Sequence, residues 1–386
     1  MASNLSPSKT LALILFLFFS LSAALELNYP AVFNFGDSNS DTGGLVAGTA
    51  LPLDPPYGQT YFHKPSGRLS DGRLIIDFLS KFCFPLNFKA SRNKKAYICV
   101  LLAVEVMNLP FLSPYLESIG APSFRKGCNF ATAGSAILPD TVSYSPFTFS
   151  IQISQFIRFK TRVLELLSQG YKLNKYLPKE AYFRQGLYMF DIGQNDLFLA
   201  FRSTPEDQVL DAIPSFMSEF ETGVKKLYDQ GARKFWIHNT GPLGCLPTNI
   251  AEFGQDPSRI DEFGCVRTHN YAAKVFNLQL LTLCRKLQGQ FSDTSVTYVD
   301  IFSIKLDLIS NYSRYGFEQP GIEGIQGWRS KTANGTIVAT KESEDSSKYI
   351  SWDGVHYTEA ANQHVSSQIL TGNYSDEVAF SIRSTY

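Results

Sequence analysis

The sequence predicts an α/β layer fold with a mostly parallel sheet. Short apolar runs recur between longer stretches with helical periodicity, and most of these runs end at Gly, Asp or Asn. The chain has 386 residues, of which 44% are hydrophobic, so it can bury a large core within one enzyme-sized domain. In open α/β sheets the carboxyl ends of the strands carry the site, and the residues that end each run are therefore the candidates for chemistry.

Five short apolar runs are predicted as strands: residues 31–35, 129–131, 186–191, 234–239 and 295–300. Two stretches between them carry bulky apolar residues at helical spacing, namely Phe156, Phe159, Val163 and Leu166, and Phe216, Phe220, Val224 and Leu227. One stripe of a helix that covers a sheet must face it. These aromatic side chains are therefore interpreted as core and not as a ligand site.

The first 24 residues have the order of a secretory signal peptide. Lys9 precedes an apolar run, residues 11–19, and small residues follow that run. Residues 11–24 are too few to span a bilayer comfortably, so we expect a cleaved signal and no stable membrane anchor, with an uncleaved anchor as the alternative. The sequence therefore predicts a secreted, extracellular protein with one domain over residues 25–386.

The charges of the chain balance, with 35 Lys and Arg against 35 Asp and Glu. No net field would attract nucleic acid or an anionic membrane surface. We therefore expect neither as a partner, and we expect a monomer.

Secretion would allow the six cysteines to pair. They lack the close C-x-x-C spacing of a zinc site, so no metal is expected. Cys245 and Cys265 flank a loop that contains Gly and Pro and are the disulfide candidate, whereas Cys128 and Cys284 lie in apolar runs and are interpreted as core. Sequons predict N-glycosylation at three positions, Asn311, Asn334 and Asn373.

A turn-rich segment, residues 36–44, follows the first predicted strand and contains Ser38. If a helix begins near Ser38, its unpaired amides and its dipole would favour an oxyanion beside the hydroxyl. Taken alone, the segment is equally compatible with an ordinary turn.

Far along the chain, Asp353 precedes His356 by three residues. On one loop this aspartate can accept the Nδ1 proton of the imidazole and leave Nε2 free as a base. The other histidines have no such partner in the sequence and are interpreted as surface or packing residues: His63, His238, His269 and His364. Ser38, His356 and Asp353 are the minimum set for covalent acyl transfer.

Acyl transfer also needs hydrogen-bond donors aimed at the oxyanion of the tetrahedral intermediate. Gly134, after the second predicted strand, offers a backbone N–H that a substrate could approach closely. Asn195, after the third, offers a side-chain amide. Each could equally belong to a structural turn.

In this order the four segments resemble the secreted plant branch of the GDSL lipase and esterase family, in the SGNH-hydrolase superfamily. The resemblance covers nearly the whole mature chain and includes residues 241–247 and 353–362. It implies a three-layer α/β/α, flavodoxin-like fold and the triad Ser38, Asp353 and His356. It also implies an oxyanion hole of the Ser38 and Gly134 amides with the Asn195 side chain, no cofactor, and a location in the apoplast or cell wall.

Patterns of competing enzyme classes are absent from the sequence. It has no G-x-S-x-G elbow of the α/β-hydrolase fold, in which the acid also lies well apart from the His. H-E-x-x-H, the Walker A loop and G-x-G-x-x-G are absent too, which argues against zinc proteases and common nucleotide enzymes.

Two segments depart from the family pattern. Residues 81–104 hold five cations and no Asp or Glu, which predicts an atypical insertion outside the catalytic machinery, either from an unspliced intron or as a membrane or partner loop. Residues 321–344 lack the cysteine that relatives carry, so the loop that holds Asp353 is expected to be less firmly braced.

The expected reaction is hydrolysis of a carboxylic ester through an acyl-Ser38 intermediate. A short acyl group, such as acetyl on a glycan or specialised metabolite, is favoured over triglyceride. The alternatives are a lipase on longer acyl chains, a catalytically weak cell-wall or carbohydrate-binding glycoprotein, and a purely structural extracellular glycoprotein.

Overall fold

The computed structural model describes residues 29–83, 111–119, 121–141, 143–170, 172–318, 329–331, 337–339 and 345–377. The predicted signal peptide, Asn334, residues 84–104 of the atypical segment and most of residues 321–344 lie outside this part of the chain.

The strands of the described residues are β1 Val32–Gly36, β2 Gly127–Asn129, β3 Leu187–Asp191, β4 Lys234–His238, β5 Ser295–Val299, β6 Arg329–Lys331, β7 Ile337–Ala339 and β8 Ser375–Glu377. The α-helices are α1 Gly44–Thr49, α2 Ile75–Cys83, α3 Phe149–Ser168, α4 Tyr182–Gln185, α5 Gln194–Ser203, α6 Ile213–Asp229, α7 Pro247–Phe253, α8 Arg267–Gln290, α9 Ile301–Ser310 and α10 Glu359–Leu370. Residues 81–83, the start of the atypical segment, are the last turn of α2.

Six strands form one sheet in the order β2-β1-β3-β4-β5-β8, and the first five are parallel. The last strand, β8, is antiparallel to β5, while β6 and β7 form a separate antiparallel pair. The predicted mostly parallel sheet is confirmed, and four of the five predicted strands are present close to their predicted bounds. The second is Gly127–Asn129 and shares only Asn129 with the predicted residues 129–131. The sequence analysis missed β8 because its three residues are polar and form no apolar run.

Helices cover both faces of the sheet. Phe33 and Tyr188 belong to one hydrophobic cluster, with the buried residues of α3, α6 and α8. Their chain neighbours Val32 and Leu187 belong to a second cluster, with those of α2, α9 and α10. Because successive side chains of a strand point to opposite faces, this alternation places one helical layer on each side. The three-layer α/β/α architecture is therefore confirmed.

The predicted stripe of α6, from Phe216 to Leu227, is buried. On α3 the stripe is buried except for Leu166, which is only half-buried. One polar residue, Gln152, shares the buried face of α3 and is 0% exposed. It is explained by its contact with the end of β1, described below.

The cysteines within the described residues lie where the sequence analysis placed them. Cys245 and Cys265 form a disulfide with a Cα–Cα distance of 4.4 Å, and Cys128 and Cys284 are free and buried. No helix of the described residues is long and apolar enough to cross a bilayer.

Candidate active site

Ser38 lies in a tight turn at the carboxyl end of β1. The amide of Asp37 donates to the carbonyl of Asp191 at the end of β3 (3.2 Å), and the amide of Ser40 donates to the carbonyl of Asp37 (3.1 Å). No α-helix of the described chain begins at Ser38; α1 begins at Gly44 and has only six residues. The expected helix dipole is therefore not the source of oxyanion stabilisation, because hydrogen-bonded loops, not a helix end, surround the hydroxyl.

Gln152 of α3 holds the last residue of β1. Its Nε2 donates to the carbonyl of Gly36 (2.8 Å), and its Oε1 accepts from the amide of Gly36 (2.9 Å). A side-chain amide thus pairs with both backbone groups of Gly36. The next residues, 37–40, form the turn that contains Ser38, here named the nucleophile turn after the predicted role of Ser38. This contact limits the movement of Ser38, two residues further on.

Asp41 connects the nucleophile turn to the segment that contains Gly134. Its Oδ1 accepts from the amide of Gly43 (2.7 Å), and its Oδ2 accepts from those of Leu45 (3.0 Å) and Ala133 (2.7 Å). The side chain is 1% exposed, so these bonds are shielded from water. Asp41 therefore links the turn that contains Ser38 to Ala133, the residue before Gly134.

Gly134 has a φ of 76°, a conformation that L side chains rarely adopt. A Cβ there would also lie 2.6 Å from the ring of Tyr144. Both constraints favour glycine at this position. The ring of Tyr144 therefore lies close to Gly134, the predicted oxyanion donor. Tyr144 is 65% exposed.

The amino-terminal end of α5 lies against the same turn. Asn195 Nδ2 donates to the carbonyl of Ser135 (2.8 Å), and Asp196 accepts from the amide of Ile137 (2.8 Å). A side-chain amide carries two N–H groups, and the bond to Ser135 uses one of them. The structure thus brings Gly134 and Asn195, predicted from separate segments, to one place.

Asp353 and His356 form a close pair on the loop before α10. His356 Nδ1 and Asp353 Oδ2 are 2.6 Å apart, and Asp353 Oδ1 accepts from the amides of Val355 (3.0 Å) and His356 (2.8 Å). Tyr57 adds a long hydrogen bond of 3.4 Å from its hydroxyl to Asp353 Oδ2. The carboxylate is therefore fixed on three sides, and an Nδ1–H donated to it leaves Nε2 as the acceptor of a proton.

The electrostatic environment of His356 raises its pKa above the ordinary value. Burial alone would lower the pKa of His356, but the carboxylate of Asp353, and after it that of Asp37, outweigh burial and raise it. Lys305 opposes them. Asp37, next to Ser38, is thus among the charges that act on His356. Ser38 Oγ makes no hydrogen bond with His356 in the described structure.

His238 is 4% exposed and packs against Trp236, as expected of a packing residue. It ends β4 beside the end of β3, and its Nδ1 is 3.6 Å from Asp191 Oδ2. Burial raises the pKa of Asp37, and the negative charge of the nearby Asp191 raises it further. Burial alone would also raise the pKa of Asp191, but His238 and the buried Lys305 outweigh burial, so the pKa of Asp191 is lowered. Tertiary neighbours on adjacent strands created this cluster, and spacing along the chain could not reveal it.

No group of His, Cys, Asp or Glu within the described ranges is arranged to hold a metal ion. The arrangement supplies a hydroxyl, a histidine oriented by a carboxylate, and two amides near a tight glycine turn. These are the groups that acyl transfer uses.

Residues 32–369 match the family model of the GDSL-like lipases and acylhydrolases. The chain belongs to this family. A GDSL esterase/lipase of Arabidopsis thaliana is 50% identical over 97% of this chain and 96% of its own length, and a second from the same plant is 48% identical over 92% and 91%. An esterase of Hevea brasiliensis is 39% identical over 97% of this GDSL hydrolase and 93% of its own length. The enzyme class is thus that of the carboxylic ester hydrolases.

Sequence reasoning missed the polar residues that hold the site of this GDSL hydrolase together. Gln152 could have been found, because it interrupts the apolar stripe of α3. Lys305 could have been found too, because it is a cation among the buried residues of the apolar helix α9. Asp41 gave no signal beyond its place in a turn-rich segment.

Proposed function

We propose that this GDSL hydrolase is a secreted serine esterase that forms an acyl-Ser38 intermediate. The pair of His356 Nδ1 and Asp353 Oδ2 at 2.6 Å, together with the influence of Asp37, next to Ser38, on the pKa of His356, carries the proposal. A histidine oriented by a carboxylate beside a serine is the arrangement that activates a hydroxyl at neutral pH.

In the first half of the reaction, His356 Nε2 takes the proton from Ser38 Oγ as Oγ attacks the ester carbonyl carbon. The carbonyl π electrons move to its oxygen and form the tetrahedral oxyanion. Collapse of this intermediate breaks the bond to the alkoxy oxygen, which receives the proton from His356 and departs as the alcohol.

In the second half, His356 removes a proton from water as the water oxygen attacks the acyl carbon. The bond between that carbon and Ser38 Oγ then breaks, the serine recovers its proton, and the carboxylic acid leaves. Donors for both oxyanions are the amides of Ser38 and Gly134 and the side chain of Asn195.

The favoured substrate carries a short acyl group, such as an acetyl ester of a glycan or specialised metabolite. Two cavities of the described residues, about 490 and 190 Å³, are lined by other residues than the proposed triad, so neither extends the site into an acyl tunnel. The exposed ring of Tyr144 lies beside Gly134, at the edge of the proposed site. We expect a shallow site at the edge of the sheet, which suits a small acyl group on a bulky alcohol.

Secretion and glycosylation belong to the same proposal. The disulfide between Cys245 and Cys265 is of the kind that oxidising compartments maintain. Asn311 and Asn373 are exposed, as acceptors of N-glycans must be. Edman sequencing of protein from culture medium tests the processing site expected before Leu25, and glycosidase-induced mass shifts test the sequons.

The activity is tested with p-nitrophenyl acetate, butyrate, octanoate and palmitate on protein secreted by a plant or insect host. We expect kcat/KM to be highest for the two short esters, and a serine-reactive phosphonate to abolish turnover and add its mass to the peptide that contains Ser38. Ser38→Ala protein is the control for labelling. Turnover that survives phosphonate treatment would refute the acyl-Ser38 mechanism, and highest activity on palmitate would favour the lipase alternative.

A further inference from the structure

The loop that carries Asp353 and His356 must be held without a disulfide of its own. No cysteine follows Cys284 in the sequence. The loop, defined here as residues 346–359, nevertheless keeps its two proposed catalytic side chains 2.6 Å apart. Its bracing must therefore come from non-covalent contacts.

Asp71 contacts both ends of this loop. Its Oδ2 accepts from the hydroxyl of Ser346 (2.6 Å), and its Oδ1 accepts from the backbone amide of Glu359 (2.6 Å). The preceding residue, Ser70, donates from its hydroxyl to the carbonyl of Tyr357 (3.0 Å). Asp71 is 0% exposed, so water does not compete for these bonds.

The residues after Asp71 hold the same end of the loop. Arg73 forms an ion pair with Glu359 at 2.7 Å, and the amide of Arg73 donates to the same carboxylate (2.8 Å). Any Cβ on Gly72 would collide with the Glu359 side chain, so the close approach depends on glycine. The first residue of α10 is thus fixed to residues 71–73.

Between the two points held by Asp71, the loop closes on itself. The amide of Trp352 donates to the carbonyl of His356 (2.8 Å), and Ser351 pairs with Tyr357 in an antiparallel bridge. A rigid turn held at its base transmits any shift of the base to its tip. Since a misplacement of about 1 Å can cost about 100-fold in rate, the base is where catalytic geometry is set.

We propose that Asp71 is a positioning residue that holds the base of the catalytic loop and so sets where His356 stands relative to Ser38. It takes the place of a covalent brace through hydrogen bonds to Ser346 and Glu359. This inference rests on the proposed function, because it needs His356 to act as the base. The hydrogen bonds, not the negative charge, do the holding.

The test compares Asp71→Ala, which removes both contacts, with Asp71→Asn, whose oxygen can still accept from Glu359 and whose amide can donate to Ser346. We expect Asp71→Ala to lower kcat on p-nitrophenyl acetate about 100-fold with little change in KM. Asp71→Asn should stay within about threefold of the parent, since it preserves the geometry. Equal losses in both variants would overturn the claim that hydrogen bonds are what matters.

A second experiment distinguishes positioning of His356 from a general structural role. It measures the loss of kcat caused by Asp71→Ala in the parent protein and in the His356→Ala variant. A residue that acts through His356 should cost nothing further once that base is gone. The same fold-loss in both backgrounds overturns the proposal. Asp293→Ala is the matched control, because Asp293 also accepts from several groups, Arg233 and Tyr228 among them, but precedes β5 at the opposite end of the sheet. Its kcat should not change.

If Asp71→Ala does not yield folded protein, Ser346→Ala decides, because it removes one contact and leaves Asp71 in place. We expect a kcat about three to ten times lower, with the loss absent in the His356→Ala background. An unchanged kcat in Ser346→Ala overturns the proposal. Absence of Ser38-dependent hydrolysis in the parent protein would instead refute the proposed function.

Discussion

The carboxylate of Asp41 accepts a hydrogen bond from the backbone amide of Ala133 at 2.7 Å, across the gap between the proposed nucleophile turn and the proposed oxyanion hole. These segments follow different strands, and the buried side chain of Asp41 connects them directly, alongside the bond from Asn129 Nδ2 to the carbonyl of Ser40 (2.7 Å). We therefore expect Asp41 to affect catalysis through the relative position of these two segments, although it would not contact the substrate.

Asp41→Ala should lower kcat by about 100-fold, because the amide of Gly134 would no longer keep its distance from Ser38. It should also reduce the free energy of unfolding by about 1–3 kcal/mol, since the buried amide of Ala133 loses its acceptor. Steady-state kinetics and urea unfolding measure the two effects. Asp140→Ala, at an exposed position a few residues after Gly134, controls for a general effect of removing an acidic residue. Full activity in Asp41→Ala would show that other contacts set the spacing.

Ser38→Ala and His356→Ala should each lower ester hydrolysis to a small residual rate while leaving the fold intact, because a nucleophile and its base act as a unit. The double variant should be no slower than either single one. Hydrolysis rates measure the cycle, and circular dichroism checks the fold. Losses that multiply in the double variant would mean that the two residues do not act in one step.

Asn195→Ala should lower kcat by about two to three orders of magnitude, the usual effect of removing one oxyanion donor. Gln194→Ala is the matched control: its amide is next in the chain but donates to Asp191 (3.2 Å). Near-normal kcat for Asn195→Ala would remove this residue from the oxyanion hole and leave it only its bond to Ser135.

The pH dependence follows from the direction of the shift at His356. Burial lowers its pKa, but Asp353 outweighs burial and raises it above the ordinary value of about 6.5. Because the base must be neutral, kcat/KM should rise with pH and reach its plateau only above that value. Asp353→Asn should move the midpoint to lower pH and reduce the plateau by up to about four orders of magnitude. A midpoint that does not move in Asp353→Asn would argue against this pairing in solution.

Replacing both Cys245 and Cys265 by serine should lower the free energy of unfolding by about 3 kcal/mol, the effect expected for a loop of 20 residues. The loss should also reach the site, because Thr248, three residues after Cys245, donates to the carbonyl of Gly354 from its amide (3.2 Å) and its hydroxyl (3.0 Å). Thermal unfolding and kcat measure the two parts. Cys128→Ser tests whether removal of a buried thiol alone has the same result, which would argue against a role for the disulfide.

The sequence predicted the sheet and the pairing of Asp353 with His356 because both depend on local patterns. Apolar runs mark buried strands, and an i, i+3 pair can meet on one loop without tertiary information. Contacts between distant segments were not predictable: the approach of Asp191 to His238 depends on β3 and β4 being neighbours, an order that no local pattern specifies. Asp71 was missed for the same reason, since its partners lie more than 270 residues away.

The short strand β8 has a consequence for how copies of this protein meet in solution. It pairs with β5, which would otherwise present the unpaired edge of a parallel sheet. In its place the edge is three residues long and carries Asp376 and Glu377, a poor template for a further strand. An N-glycan on the nearby Asn373 would obstruct that edge further. Truncation before Ser375 should therefore appear first as self-association, while the chemistry at the other strands persists.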